Sequence, residues 1–193
     1  MRRKRETGFS LLEMVVVLSI ILIVSSISVM SVWTAIRNAR VGTAYQTTVM
    51  QMRRARQAAV DDRRVHVITF TAPGGIRIER IEQDGVTRTM LDQRNLPEDI
   101  QFRVEPGIPT DPLLTPDQFG VGGVAIDFNN ANEIYFQPDG SALDAAGRLN
   151  NGVIYFARPG ELESARAVTI FGSTGRVKGW RLTEAAPGDW RWR

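Results

Sequence analysis

One apolar stretch near the N-terminus constrains this chain more than any other feature. Residues 9–33 read FSLLEMVVVLSIILIVSSISVMSVW, a run of 25 residues with a single charged side chain, Glu13. A helix of about 20 apolar residues is long enough to cross a membrane, so we expect a transmembrane helix over residues 9–33. A buried core helix is the alternative, but core helices are rarely both this long and this uniformly apolar.

The charges before this stretch predict its orientation. Residues 2–6 read RRKRE and hold four basic side chains and one acidic one. The positive-inside rule therefore places the N-terminus in the cytoplasm and the rest of the chain beyond the membrane. A cleaved secretory signal would have an apolar region of roughly 7–15 residues followed by a small-residue cleavage site. The longer run found here, which continues into a further helical pattern, favours a retained anchor.

Glu13 places a carboxylate inside the apolar stretch. Such a group costs about 2.5–3.5 kcal/mol on membrane-insertion scales, and charged residues in these segments usually have a function and a partner. The run Gly8-Phe9-Ser10-Leu11-Leu12-Glu13, after a basic leader and before a long apolar segment, resembles the class III signal of type IV pilins and type II secretion pseudopilins.

This resemblance implies a processing route and a location. Residues 1–8 would be a leader that a prepilin peptidase removes after Gly8, and the new N-terminal Phe9 would be methylated. The chain would be a single-pass protein of the bacterial inner membrane with a periplasmic C-terminal domain, later assembled with other pseudopilins or pilins in a filament. Glu13 would face the N-terminal amine of a neighbouring subunit. Because a buried carboxylate is badly destabilised without its partner, Glu13 would set the register of assembly.

An amphipathic pattern follows the apolar stretch without a helix breaker. Apolar side chains recur at spacings near three and four, while several arginines face elsewhere; the apolar set is Val41, Tyr45, Val49, Met52 and Ala59. We therefore predict that the helix continues over residues 34–62. A coiled coil is the competing interpretation, but the pattern does not persist over enough heptads.

Residues 63–193 change to a period of two, which is typical of strands separated by Gly, Pro, Asn and Asp turns. The apolar or alternating runs are 65–70, 75–81, 86–91, 100–104, 123–128, 133–137, 153–158 and 167–172, and residues 106–123 form the longest expected loop. With no second helix, this pattern predicts antiparallel sheets. The expected fold class is α+β and pilin-like, with a long N-terminal helix, transmembrane and then amphipathic, packed on a β-rich domain.

The β-rich half resembles the GspH/FimT domain. The runs that carry this resemblance are IYFQPDG at 134–140, AVTI at 167–170 and GRV at 175–177. The resemblance implies a minor pseudopilin at or near the tip of the type II secretion pseudopilus, which supports protein secretion across the outer membrane. The alternative is a FimT-like minor type IV pilin that primes pilus assembly or binds DNA during uptake. The chain departs from the major pseudopilin in lacking its calcium-binding loop, and from many type IV pilins in lacking cysteine.

No pattern of catalytic or ligand-binding residues stands out. The chain has no cysteine and one histidine, His66, which excludes a thiol nucleophile, Cys-ligated zinc and a multi-His metal site. Neither the oxygen spacing of a calcium loop nor a phosphate-binding glycine motif is present. We therefore predict a non-enzymatic protein that uses no cofactor and no metal.

The net charge gives little support for a nucleic-acid partner. The chain has 24 Lys and Arg residues against 21 Asp and Glu, a formal charge of +3. Residues 2–6 account for all of it, since the remaining 20 basic and 20 acidic residues cancel. Only a local basic patch could therefore bind a polyanion.

One such patch lies near the C-terminus. Arg176, Lys178 and Trp180 alternate along one expected hairpin arm and Arg181 follows, with residues 191–193 (RWR) beyond. Basic groups bind phosphates and an aromatic ring stacks on a base. FimT-like pilins that take up DNA carry a G-R-x-R motif on this hairpin, whose last position here is Lys178, which lacks the bidentate fork of arginine. The alternative, favoured by the neutral mature chain, is a hairpin that packs on the sheet or on a neighbouring subunit.

Overall fold

One helix, α1, runs from Leu11 to Asp62 over 52 residues in a computed structural model that describes residues 10–120, 123–129 and 131–193. The predicted leader 1–8 and Phe9 lie outside these residues. The chain divides into two compact units, the first ending at Ala39 and the second comprising Arg40–Arg193. Each unit contains part of α1.

In the first unit, the described part of α1 presents its apolar side chains to the surroundings. Leu11 is 83% exposed and Leu22 is 70% exposed. Within the residues that the structure describes, no helix combines the length and the apolar character that crossing a membrane requires. A transmembrane helix over residues 9–33 therefore stays a prediction.

In the second unit, α1 has a buried face and an exposed face. Many of the buried positions recur every three or four residues, in keeping with the predicted amphipathic pattern. The buried residues are Val41, Ala44, Thr48, Val49, Gln51, Met52, Ala55 and Ala59, and the predicted Tyr45 is partly buried against the core. The buried hydroxyl of Thr48 is satisfied locally, since Thr48 Oγ1 donates to the Ala44 carbonyl at 2.9 Å.

The rest of the second unit is built of strands. Those in the described residues are β1 (His66–Thr71), β2 (Gly75–Ile81), β3 (Arg88–Asn95), β4 (Gln101–Phe102), β5 (Ile126–Asp127), β6 (Glu133–Phe136), β7 (Ala142–Leu143), β8 (Gly152–Ala157), β9 (Arg166–Phe171), β10 (Arg176–Ala186) and β11 (Asp189–Trp192). Short 3-10 helices occur at Pro116–Gln118 and Leu162–Ser164.

These strands form two antiparallel sheets. The first has the order β3-β2-β1-β6-β7, and the second has the order β11-β10-β9-β8-β4, with β5 also pairing with β8. Every pairing is antiparallel. The predicted α+β, pilin-like fold class, with a long helix and antiparallel sheets, is confirmed.

The main core lies between α1 and the inner faces of both sheets. Met52 and Ala55 of the helix join a cluster that includes Phe70 of the first sheet and Phe156 of the second. All six residues of β8 are buried, because a second apolar cluster covers the outer face of the second sheet as well. That outer cluster includes Tyr155, and Phe119 of the long loop packs against it.

The described part of the expected loop 106–123 crosses this outer face. Its Phe119 ring meets the Phe171 ring edge-on, with centroids 4.9 Å apart. Asp117 and Gln118 have φ of 52° and 60°, a left-handed conformation that is uncommon for residues other than glycine. The loop therefore folds back on the sheet and brings polar side chains to the C-terminal strands.

Candidate functional site

Glu13 lies in the first turn of α1. Its apolar neighbours Leu12 and Val16 are both exposed, so the carboxylate projects from an uncovered apolar helix surface. Gly8 and Phe9, the predicted processing and methylation positions, lie outside the described residues.

Two serines of the helix near Glu13 bond to its own backbone. Ser19 Oγ donates to the Val15 carbonyl at 2.8 Å, and Ser26 Oγ donates to the Ile23 carbonyl at 2.7 Å. Soluble monomers rarely expose contiguous apolar patches beyond a few hundred Å², and an exposed apolar helix surface is suited to contact with lipid or with other apolar helices.

The C-terminal hairpin divides the predicted DNA-binding residues between two faces. In the pairing of β10 with β9, Lys178 lies opposite Thr169 and Arg181 lies opposite Arg166. Because side chains alternate along a strand, Arg176, Lys178 and Trp180 share the outer face of the sheet. Arg181 lies on the other face, so the four residues do not form one patch.

Asp117 in the loop holds two of these residues in place. Its carboxylate accepts hydrogen bonds from the Trp180 indole Nε1 at 3.3 Å and from the Thr169 hydroxyl at 2.5 Å. The Lys178 ammonium lies 3.2 Å from the same carboxylate and 3.6 Å from the centroid of the Trp180 ring. The charge of Lys178 and one face of Trp180 are therefore engaged within the chain.

Arg176 has a more open position. Its guanidinium lies 4.5 Å from the centroid of the Phe171 ring, and it lines a shallow cleft with Arg56, Ser173 and Thr174. No ion pair joins Arg176 to a carboxylate among the residues that the structure describes. Of the three outer-face residues, Arg176 alone has a side chain that is not held by Asp117.

Two turns that the sequence singles out meet beside Arg56. The Arg56 Nε donates to the Gly140 carbonyl and to the Thr174 carbonyl, both at 3.1 Å. Gly175 has φ of 59°, and a Cβ at this position would lie 2.1 Å from the Gly140 carbonyl oxygen. Glycine is therefore required at residue 175, where the turn that begins the GRV run packs against the turn of the IYFQPDG run.

His66 has a structural position. The side chain is fully buried at the start of β1, with Nδ1 3.1 Å from the Arg64 carbonyl and Nε2 3.3 Å from the Asp62 carboxylate. Across the described ranges, no group of three or more His, Asp or Glu side chains is placed to hold a metal ion.

Three aspartates that adjoin glycines or alanines in the sequence organise turns. In the first, the Thr87 hydroxyl and the Val86 and Thr87 amides donate to Asp84 and lower its pKa. Asp139 is held by the Ser141 hydroxyl and amide, and Asp144 by the amides of Arg148 and Ala146, with the same direction of shift in pKa. Asp144 also pairs with the Arg148 guanidinium at 2.9 Å. All three carboxylates therefore stabilise turns.

No sequence pattern indicates the role of Asp117. It lies in a Pro-rich loop, 61 residues before Lys178, and its left-handed backbone has no local glycine or asparagine signature. Only the packing of the loop on the sheet brings it to the hairpin.

The N-terminal region matches a known family. The family described as the prokaryotic N-terminal methylation motif matches residues 3–29, which include Gly8, Phe9 and Glu13. No curated protein shows significant sequence similarity to the chain.

Two solved structures are similar to the chain. The type IV minor pilin FimU of Pseudomonas aeruginosa matches with a TM-score of 0.50 at 13% identity, over 74% of this chain and 89% of FimU. The minor pseudopilin EpsH from the type 2 secretion system of Vibrio cholerae matches with a TM-score of 0.48 at 11% identity, over 78% of this chain and 99% of EpsH. The chain thus combines a prokaryotic N-terminal methylation motif with the pilin-like fold that its sequence predicts.

Proposed function

We propose that this chain is a minor pseudopilin, a non-enzymatic structural subunit at or near the tip of a type II secretion pseudopilus. The observation that carries the proposal is the combination of a methylation motif at residues 3–29 with an apolar helix whose described side chains are exposed. An uncovered apolar helix needs lipid or other helices around it, since water solvates apolar surface poorly. A membrane anchor that later becomes part of a filament meets this need in both states.

The proposal includes the processing and location of the chain. A prepilin peptidase removes residues 1–8, Phe9 is methylated, and residues 9–33 anchor the protein in the inner membrane with residues 63–193 in the periplasm. Glu13 then pairs with the N-terminal amine of a neighbouring pseudopilin. The position of Glu13 on an exposed apolar surface supports this role, because an unpaired carboxylate becomes costly when such a surface is buried.

A FimT-like minor type IV pilin is the second candidate. Two observations favour this candidate. The chain is similar in fold to FimU, a type IV minor pilin, and Arg176 has no carboxylate partner among the described residues. The engagement of Lys178 and Trp180 by Asp117 weighs against DNA binding through the hairpin. We therefore favour a structural role for the outer face of the hairpin.

A gene deletion in the native host separates the two candidates. For a pseudopilin, we expect secreted proteins to accumulate in the periplasm and to reach the medium again when the wild-type chain is supplied. A Glu13→Ala chain should fail to restore secretion, whereas Asp189→Ala, which removes an exposed carboxylate of β11, should restore it fully. Loss of pilus formation or of DNA uptake, with secretion unchanged, would instead establish the type IV pilin role.

A further inference from the structure

Three arginines lie side by side on the inner face of the second sheet, at the end near Tyr45 of α1. Arg166 of β9 is directly opposite Arg181 of β10. Arg181 and Arg193 exchange backbone hydrogen bonds of 2.7 and 2.9 Å, which makes them a directly opposite pair as well. Residues paired in this way share a face, with Cβ atoms about 4.5–5.5 Å apart.

The charges of this row lack carboxylate partners. Among the described residues, neither Arg166, Arg181 nor Arg193 forms an ion pair with Asp or Glu. Arg166 donates instead to the carbonyls of Ala165 and Glu163, at 2.8 and 3.1 Å. Burial, together with the charge of Arg181, lowers the pKa of Arg166 to about 10. Like charges directly opposite one another destabilise a sheet. Repulsion among the three arginines therefore lowers the stability of the folded chain.

The arginines open onto a cleft that the helix and the sheet build together. Its volume is about 280 Å³, and the residues that line it are Tyr45, Arg166, Gly179, Trp180, Arg181 and Arg193. Tyr45 lies flat against Gly179, where a Cβ would come within 2.0 Å of the tyrosine hydroxyl oxygen. The absence of a side chain at residue 179 therefore gives the cleft its aromatic wall.

We propose that this arginine cleft binds the carboxylates of an acidic segment on a neighbouring protein subunit, an inference that rests on the proposed role in a filament. Planar guanidinium groups pair with carboxylates through two parallel hydrogen bonds. A cleft closed on one side by Tyr45 suits a group of side-chain size better than a continuous polyanion. Nucleic-acid binding also draws on many phosphate contacts, and the chain beyond residue 8 has no net charge to supply them.

The test is a titration of the full-length chain in detergent with a fluorescently labelled octaglutamate peptide at about 20 mM salt, where screening is weak. We expect saturable binding, no binding of octaglutamine, and a dissociation constant about tenfold weaker for Arg181→Gln, the effect of losing one charge-assisted hydrogen bond. The matched control is Arg94→Gln, which removes an exposed arginine from β3 and should leave the binding unchanged.

Thermal unfolding supplies a second readout. Arg181→Gln should raise the melting temperature by about 1–3 °C, because it relieves like-charge repulsion. Arg193→Gln should have the same effects on binding and on melting temperature, and it serves as the test variant if Arg181→Gln folds poorly. Absence of octaglutamate binding, or binding that both variants leave unchanged, would overturn the inference. Tighter binding of a short DNA duplex through the same arginines would also overturn it. The secretion assay does not depend on this titration. If the chain restores secretion but does not bind octaglutamate, the proposed role of the cleft is refuted and the proposed pseudopilin role is not.

Discussion

Replacement of Asp117 is the most direct test of how the loop and the C-terminal hairpin depend on each other. The Asp117 side chain is only 11% exposed and accepts from Thr169, Trp180 and Lys178. Asp117→Ala removes the charged acceptor that the indole N–H and the Thr169 hydroxyl share. It leaves the Thr169 oxygen, 3.1 Å from the indole Nε1, and the Lys178 carbonyl, 3.4 Å from the hydroxyl, as the remaining acceptors, and it places alanine at a φ of 52°. Asp117→Asn retains one carbonyl acceptor and a residue that tolerates this conformation.

The magnitudes follow from these contacts. Hydrogen bonds to a charged group contribute about 1.5–3 kcal/mol each, but Lys178 is 44% exposed and its pair with Asp117 adds only about 0–1 kcal/mol. Because the indole N–H keeps the Thr169 hydroxyl as an acceptor, Asp117→Ala loses in effect one such bond, and a left-handed alanine costs about 1 kcal/mol more. We therefore expect Asp117→Ala to lower the free energy of unfolding by about 2.5–5 kcal/mol. For Asp117→Asn we expect a loss of about 1 kcal/mol, mainly from the charge.

The assay is thermal unfolding of the full chain followed by tryptophan fluorescence. For a domain of this size 1 kcal/mol corresponds to about 2–4 °C, so Asp117→Ala should melt roughly 5–20 °C below wild type and Asp117→Asn roughly 2–4 °C below it. Asp111→Ala is the matched control, because Asp111 is exposed in the same loop and, within the described part of the chain, its carboxylate accepts a hydrogen bond from the Leu113 amide alone. An Asp117→Ala protein that melts within about 1 °C of wild type, or a control that falls equally far, would refute the reasoning.

Three further predictions concern the processing motif and the hairpin. A bulky residue at Gly8 should block cleavage, because the peptidase must approach the backbone closely there; mass spectrometry of the extracted chain should then show the intact leader, whereas wild type begins with methylated Phe9. Glu13→Ala should enter the membrane at least as well as wild type, since it removes the insertion cost of a carboxylate. It should be lost from purified filaments, and equal incorporation would contradict the assembly role. If the hairpin binds DNA, its three basic side chains limit the slope of log K against log salt to about −3. Arg176→Ala should then weaken binding more than Lys178→Ala, because Lys178 is already paired with Asp117. Equal effects of the two variants would argue against this order.

The sequence by itself determined the elements that depend on local pattern. The apolar stretch, the amphipathic continuation that ends at Asp62 and most of the strands are readable because hydrophobic spacing reflects the period of each element. The strand β7 and the separate strand β11 were not predicted. β7 has only two residues, too few to show a period, and its pairing with β6 depends on the neighbouring strand.

Tertiary structure alone decided which side chains meet. Alternation along β10 predicts that Arg176 and Lys178 share a face, but it carries no information about what covers that face. Asp117 reaches Lys178 across 61 residues, through a loop whose path depends on the packing of Phe119 against the sheet. Likewise, the row of Arg166, Arg181 and Arg193 exists only in the observed register of three strands, and the sequence pattern leaves that register open because any shift by two residues preserves the same alternation of faces.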